Sequence, residues 1–185
     1  AEVVQRALDD QYAMNLPETD ESHRRLVPTE YFDPSEVGWD RIANAAAAEF
    51  HGDLCVIIDV GTCVTAEVVA DGVLLGGAIA PGLPVMKTGL TVQTPHLGEL
   101  IEKLATPFDL TEPAKSTEDN LMLGMYSALV GTVDALARNL AAPLKHAKIV
   151  MTGGWAEWVH GQSTTTAEVD PMLTLRGLRI LDERA

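Results

Sequence analysis

The chain predicts an α/β fold, and three observations predict it. Val56, Ile57 and Ile58 form a β-branched apolar run that ends at Asp59, the pattern of a buried strand. Asp71-Gly72 is a favoured hairpin dipeptide between two further strand-like runs. Leu121, Met125, Leu129, Val133, Leu136 and Leu140 recur at helical spacing over Thr117–Leu140.

The remaining elements follow from local chemistry. The alanine-rich RIANAAAAEF segment, Arg41–Phe50, is expected to be helical with Asp40 at its start. Strands over Leu54–Asp59, Thr65–Ala70 and Val73–Ala80 make an antiparallel meander. Pro84–Val92 reads as a helix, which Leu97–Leu104 continues after Pro95. Two prolines make Thr106–Lys115 a loop. Ile149–Thr152 is a short strand, Gly153-Gly154 a turn and Trp155–Val159 a short helix. Thr164–Thr166 is a loop. The last helix spans Val169–Leu181, with Asp170-Pro171 as N-cap and first turn. Before all this, Val3–Tyr12 is helix-like and Pro17–Pro28 polar. A chain that starts at Ala1 in this way reads as lacking an N-terminal portion.

Composition narrows the function classes. At 185 residues, 46% apolar and 22% charged, the chain can bury a full core. No uninterrupted apolar run approaches the ~18 residues of a membrane helix, and AEVVQRALDD is charged where a signal peptide would be apolar. Cys55 and Cys63 flank one strand-and-turn unit without a second ligand pair, so neither a disulfide framework nor a zinc site is expected. These features predict a reducing, cytoplasmic setting and no membrane partner. A net charge of −14 disfavours nucleic acid as a partner, because a phosphate backbone would be repelled. His23, His51, His96, His146 and His160 lack metal-ligand spacing and read as surface residues. Trp155 and Trp158, three apart, are expected to pack on the sheet.

Three stretches carry possible chemistry. In VIIDVGTCVT, Val56–Thr65, an acid at a strand end meets a Gly-Thr turn with hydroxyls at Thr62 and Thr65. With GGAIAPGL, Gly76–Leu83, it suggests a nucleotide site where Asp59 handles a cation; a hairpin with a polar tip is the alternative. In YFDPSEVGWDR, Tyr31–Arg41, an adjacent acid and base at a helix start could take a hydroxyl proton and grip a carboxylate. Equally, Asp40 could only cap the helix and Arg41 be a solvated charge. In Met151-Thr152-Gly153-Gly154 a strand-to-helix turn offers N–H groups to a nucleotide, or is a plain connection.

Taken in order, these motifs resemble the type III pantothenate kinases. The resemblance runs from about Pro28 to about Glu183 and includes YFDPSEVGWDR, IDVGTCVT, GGAIAPGL, KSTEDNLMLGMYSALVG, MTGGWAEWV and VDPMLTLRGL. It implies a ribonuclease H-like, actin-like ATPase domain, with a mixed β-sheet flanked by helices and an incomplete first lobe. Residues 1–30 would be a remnant of that lobe and a linker, and 31–185 the C-terminal lobe. The implied activity is ATP-dependent phosphorylation of pantothenate to 4'-phosphopantothenate in coenzyme A biosynthesis. Asp40 would be the catalytic base, and Tyr31, Gly38, Trp39, Asp40, Arg41 and Thr117 would bind pantothenate. Arg41 would meet its carboxylate, and a dimer partner would enclose the pocket at Thr117. Thr62 would bind ATP, with Mg2+ on the phosphates, and Asp59 would hold a monovalent cation, K+ or NH4+. A homodimer is implied.

Some residues depart from the family pattern. No Asp-x-Gly-Asn-Thr phosphate loop is present, Ala-Lys-Ser-Thr stands before and at Thr117 where Gly-Lys-Asn-Thr is commoner, and Cys63 replaces an alanine. The alternative function is therefore a catalytically incomplete relative that binds a ligand or acts as a transcriptional accessory protein. A dimerisation unit built on Thr117–Leu140 is a third.

Overall fold

The near-continuous apolar run of Leu54–Val60 (β1) produces a strand whose two faces are both buried, and the sheet grows outward from it. The structure is a computed structural model, and it describes residues 21–102 and 112–185. The helix expected over Val3–Tyr12, the end of Leu97–Leu104 and the first part of the 106–115 loop lie outside the described residues. β1 pairs antiparallel with β2 (Cys63–Ala70), which pairs antiparallel with β3 (Val73–Pro81). On its other side β1 runs parallel to β4 (Lys148–Thr152), and β4 runs parallel to the two-residue β5 (Glu168–Val169). The order is β3-β2-β1-β4-β5, and helices cover both faces, so the expected mixed β-sheet flanked by helices is present.

The helices are α1 (Glu21–Arg24), α2 (Trp39–Ala47), α3 (Leu83–Gln93), α4 (Pro95–Glu102), α5 (Thr117–Ala141), α6 (Ala156–Gln162) and α7 (Leu173–Arg184). Val56, Ile58, Val64 and Ala66 face one layer, where they meet Met125, Tyr126, Leu129 and Val133 of α5 and Val159 of α6. Cys55, Ile57, Val69 and Val150 face the other, against Ile42, Ala43 and Ala47 of α2 and Leu173 and Leu181 of α7. α5 is the one helix among the described residues long and apolar enough to cross a membrane. Here it serves as the core helix of the first layer, with Ser116 capping it by accepting the Asp119 N–H at 3.0 Å. Trp155 and Trp158 pack edge-on around Tyr126, with ring centroids 5.8 and 4.8 Å from it, so they meet α5 as well as the sheet.

Several expectations need correction. α2 begins at Trp39 with Gly38 as its N-cap, and its last turn, Ala48–Phe50, tightens into a 3-10 helix. The last helix starts at Leu173, because Val169 is drawn into β5 by pairing with Met151. Asp170 accepts the Met172 N–H at 3.1 Å and so closes the turn before that helix. His23 and His51 are not surface residues: they are 7% and 5% exposed. His51 sits between two strand-end acids, with Nε2 3.0 Å from Asp170 Oδ2 and Nδ1 3.3 Å from Glu168 Oε2. The Thr164–Thr166 loop is tied down by Asp134 of α5, which accepts the hydroxyls of Ser163, Thr164 and Thr165 at 2.5, 2.8 and 2.8 Å.

Candidate functional site

β1 and β4 run parallel with Asp59 opposite Thr152, and both open at their carboxyl ends into glycine turns. In open α/β sheets that edge is where ligands bind. Gly153 has φ +95, and a Cβ there would collide with Asp59 Oδ1 and lie 2.7 Å from the Val60 carbonyl oxygen. The Trp155 N–H donates to that same carbonyl at 3.0 Å. From the second motif, the Gly82 N–H donates to the Thr62 carbonyl at 3.1 Å. A side chain at Gly82 would put its Cβ 2.5 Å from that oxygen. The three glycine motifs singled out in the sequence therefore close on one turn, Asp59–Thr62.

The amino end of α2 lies over the same turn. Asp59, Thr65 and Glu67 share the face of the sheet that α2 covers, since Asp59 pairs with Thr65 and Ile57 with Glu67. Asn44 of α2 is fully buried; its Nδ2 donates to Asp59 Oδ2 at 3.2 Å, and its Oδ1 accepts the Thr174 hydroxyl of α7 at 2.7 Å. Burial raises the Asp59 carboxyl above its ordinary value; the Asn44 bond works against this, and the charge of nearby Asp40 adds to it. Asp40 itself is exposed, and its Oδ1 accepts the Arg41 backbone N–H at 2.9 Å. It thus stabilises the first turn of α2, where the helix dipole favours an anion, and keeps its second oxygen free of protein partners among the described residues.

Arg41 is not a solvated surface charge. It is 5% exposed, its Nε donates to Glu67 Oε1 at 2.8 Å, and Nη2 donates to the Tyr31 hydroxyl. The Tyr31 ring lies 5.3 Å from the guanidinium carbon. Burial pushes the Glu67 carboxyl up to about 7, even with Arg41 drawing it down. Trp39 is half-buried and carries the Arg24 guanidinium 4.4 Å above its ring. Thr62 is exposed at the turn. Thr117 is exposed in the first turn of α5, a helix of the opposite layer, and the described contacts do not bring it to the α2 cluster of its own chain.

Glu67, Asn44 and Thr174 were missed by sequence reasoning. The period-two pattern of β2 held a usable signal: Thr65 and Glu67 fall on the side where a core strand should be apolar. No comparable signal marks Asn44, which looks like one polar residue in an alanine helix.

Type III pantothenate kinase is the family whose profile matches, over residues 2–139. A type III pantothenate kinase of Koribacter versatilis is 38% identical over 165 residues, 85% of this chain and 57% of that protein. One from Anaeromyxobacter dehalogenans is 40% identical over 162 residues, covering 85% of this chain and 62% of that protein. This chain therefore spans less than two thirds of the length of such relatives. Among solved structures, a conserved putative Baf family transcriptional activator from Campylobacter jejuni superposes with a TM-score of 0.61 at 25% identity, covering 100% of this chain and 79% of that one. With the glycine turns, the acid at the end of β1 and the Asp-Arg pair of α2 gathered in one place, and with relatives of this similarity, the chain belongs to the type III pantothenate kinase family.

Proposed function

We propose that this chain contributes the pantothenate side and part of the nucleotide side of an ATP-dependent pantothenate kinase that yields 4'-phosphopantothenate for coenzyme A biosynthesis. The observation that carries the reading is the position of Asp40 at the start of the helix whose Asn44 bonds Asp59 at 3.2 Å, close enough for the Asp40 charge to act on that acid.

In this reading the free oxygen of Asp40 takes the proton of the primary hydroxyl of pantothenate. The hydroxyl oxygen of the substrate attacks the γ-phosphorus of ATP, the bond from that phosphorus to the bridging β-phosphate oxygen breaks, and ADP leaves. Little covalent work falls to the protein, so the rate comes from position and charge. Tyr31, Gly38, Trp39 and Arg41 line the acceptor pocket, with Arg41 on the substrate carboxylate. Thr62 meets the nucleotide.

The residues present suit a monovalent cation at Asp59. Asp59 Oδ1 and the Val60 carbonyl oxygen converge beside the Cα of Gly153, two hard oxygen donors that a side chain there would block. Potassium or ammonium held there would supply fixed positive charge beside the phosphates. Among the described residues no group of three His, Cys, Asp or Glu side chains could hold a metal ion, so this reading assigns Mg2+ to the nucleotide phosphates. Thr117 would complete the pocket of a second copy in a homodimer, and a cytoplasmic setting follows from the substrate.

A second reading, a binding or transcriptional accessory protein without turnover, draws on the likeness to the conserved putative Baf family transcriptional activator of Campylobacter jejuni. One experiment separates them: incubation with ATP and pantothenate, followed by mass detection of the phosphorylated product and by ADP release. Product that disappears in Asp40→Asn supports the kinase. Tight pantothenate binding with no product supports the accessory role.

A further inference from the structure

Glu67 is a carboxylate in a central strand, and its side chain is wholly buried. An acid reaches such a position only when another group offsets its lost hydration. Here that group is Arg41, itself almost fully buried, at 2.8 Å through Nε. The bond to Tyr31 uses Nη2, on the same edge of the guanidinium, and the Tyr31 ring stacks beside it. Two bonds from one edge and a ring contact fix the plane of the fork. Nη1 carries no hydrogen bond among the described residues, yet it is not one of the buried unpartnered atoms, so it reaches solvent. Glu67 Oε2, by contrast, is buried without a hydrogen bond of its own, and Arg41 is the cation that the carboxylate meets, through Oε1.

We propose that Glu67 is the positioning residue for Arg41: it holds the side edge of the guanidinium so that the Nη1 end of the fork faces a ligand carboxylate, and so lets the pocket choose an acid over its amide. The proposal rests on the pantothenate reading given above. A carboxylate accepts two charge-assisted N–H bonds from such a fork, whereas an amide offers one neutral oxygen and turns an NH2 donor toward the same N–H groups. A guanidinium free to rotate would lose most of that distinction.

The test uses the full chain and two probes, pantothenate and the primary amide made from its carboxylate. Titration calorimetry gives Kd for each with the parent, with Glu67→Asp, which keeps the charge but withdraws the carboxylate by one methylene, and with Glu67→Gln, which keeps the reach of Oε1. Thermal melting establishes that each variant is folded. The Arg41 Nε–H resonance, assigned by its loss in Arg41→Lys, reports the pairing without any ligand. The expected result for Glu67→Asp is pantothenate binding weakened about tenfold with amide binding changed less than about twofold, and a displaced Nε–H resonance. Glu67→Gln should fall nearer the parent on the acid-to-amide ratio. An unchanged ratio in folded Glu67→Asp, or a resonance that does not move, overturns the positioning role. A parent chain that binds acid and amide equally overturns the carboxylate reading and the selectivity assigned to Glu67, while the resonance still decides whether Glu67 orients Arg41.

Discussion

Asn44 joins Asp59 to the rest of the protein: from the middle of α2 it donates to Asp59 Oδ2 at 3.2 Å while holding the Thr174 hydroxyl at 2.7 Å. The acid at the end of β1 is thereby tied to two helices of the same layer. Its orientation depends on how α2 and α7 pack.

Asn44→Ala removes a donor from Asp59 and an acceptor from Thr174, both partly buried. The expected cost is about 1–3 kcal/mol for unmade buried hydrogen bonds, read as a lowered melting temperature. Thr174→Val added to Asn44→Ala should cost less than the sum of the two, because the second change removes a hydroxyl already stranded. Full additivity would mean that the two side chains do not share one network.

Gly177→Ala should destabilise the protein by forcing α2 and α7 apart. A Cβ at Gly177 would overlap the Ala43 carbonyl of α2, so α7 must move away. Overpacking of this kind costs about 1–3 kcal/mol, a melting shift of about 2–4 °C for each kcal/mol in a domain of this size. A melt equal to the parent would mean that the close crossing of α2 and α7 is not maintained.

Stability should fall with rising pH over a window set by Glu67. Its ordinary pKa of 4.5 is raised to about 7 in the folded protein by burial, against the pull of Arg41. Below 4.5 both states are protonated, and the group contributes nothing. Between 4.5 and 7 the unfolded chain loses the proton that the folded one keeps, so stability declines. Above 7 the penalty is complete. Urea unfolding from pH 4 to 8 on parent and Glu67→Gln checks this: the difference between the two curves should slope through that window and level off above it.

If product forms in the kinase assay, exchanging potassium for lithium at constant ionic strength should lower the rate several-fold. Asp59→Asn should be slow in both salts and indifferent to the exchange. A parent rate that ignores the cation would remove Asp59 from that role and leave it a structural acid.

Much of the fold could be read from the chain because its local signals agree. The strand runs around Val56–Ile58 and Val73–Ala80, the Asp71-Gly72 turn and the spacing of Leu121 through Leu140 all reappear within a few residues of their expected ends. The boundary that moved most did so for a tertiary reason: pairing with Met151 took Val169 from the last helix into a strand. The candidate site was legible as motifs but not as partners. Asp59, Thr62, Asp40 and Arg41 stand out beside glycine and aromatic residues. His51 gave no sign of being buried, because its two acids are supplied from Glu168 and Asp170, more than a hundred positions later.

The sequence by itself determined which segments become strands and helices, and which acids and glycines end them, because propensity, periodicity and turn chemistry act over a few neighbouring residues. Tertiary structure alone decided that Arg41 is a buried cation held by Glu67 and that three distant glycine turns meet at Asp59. Such pairings depend on strand register and on which helix covers which face. A carboxylate at position 67 is only one polar letter until the sheet forms and water leaves it.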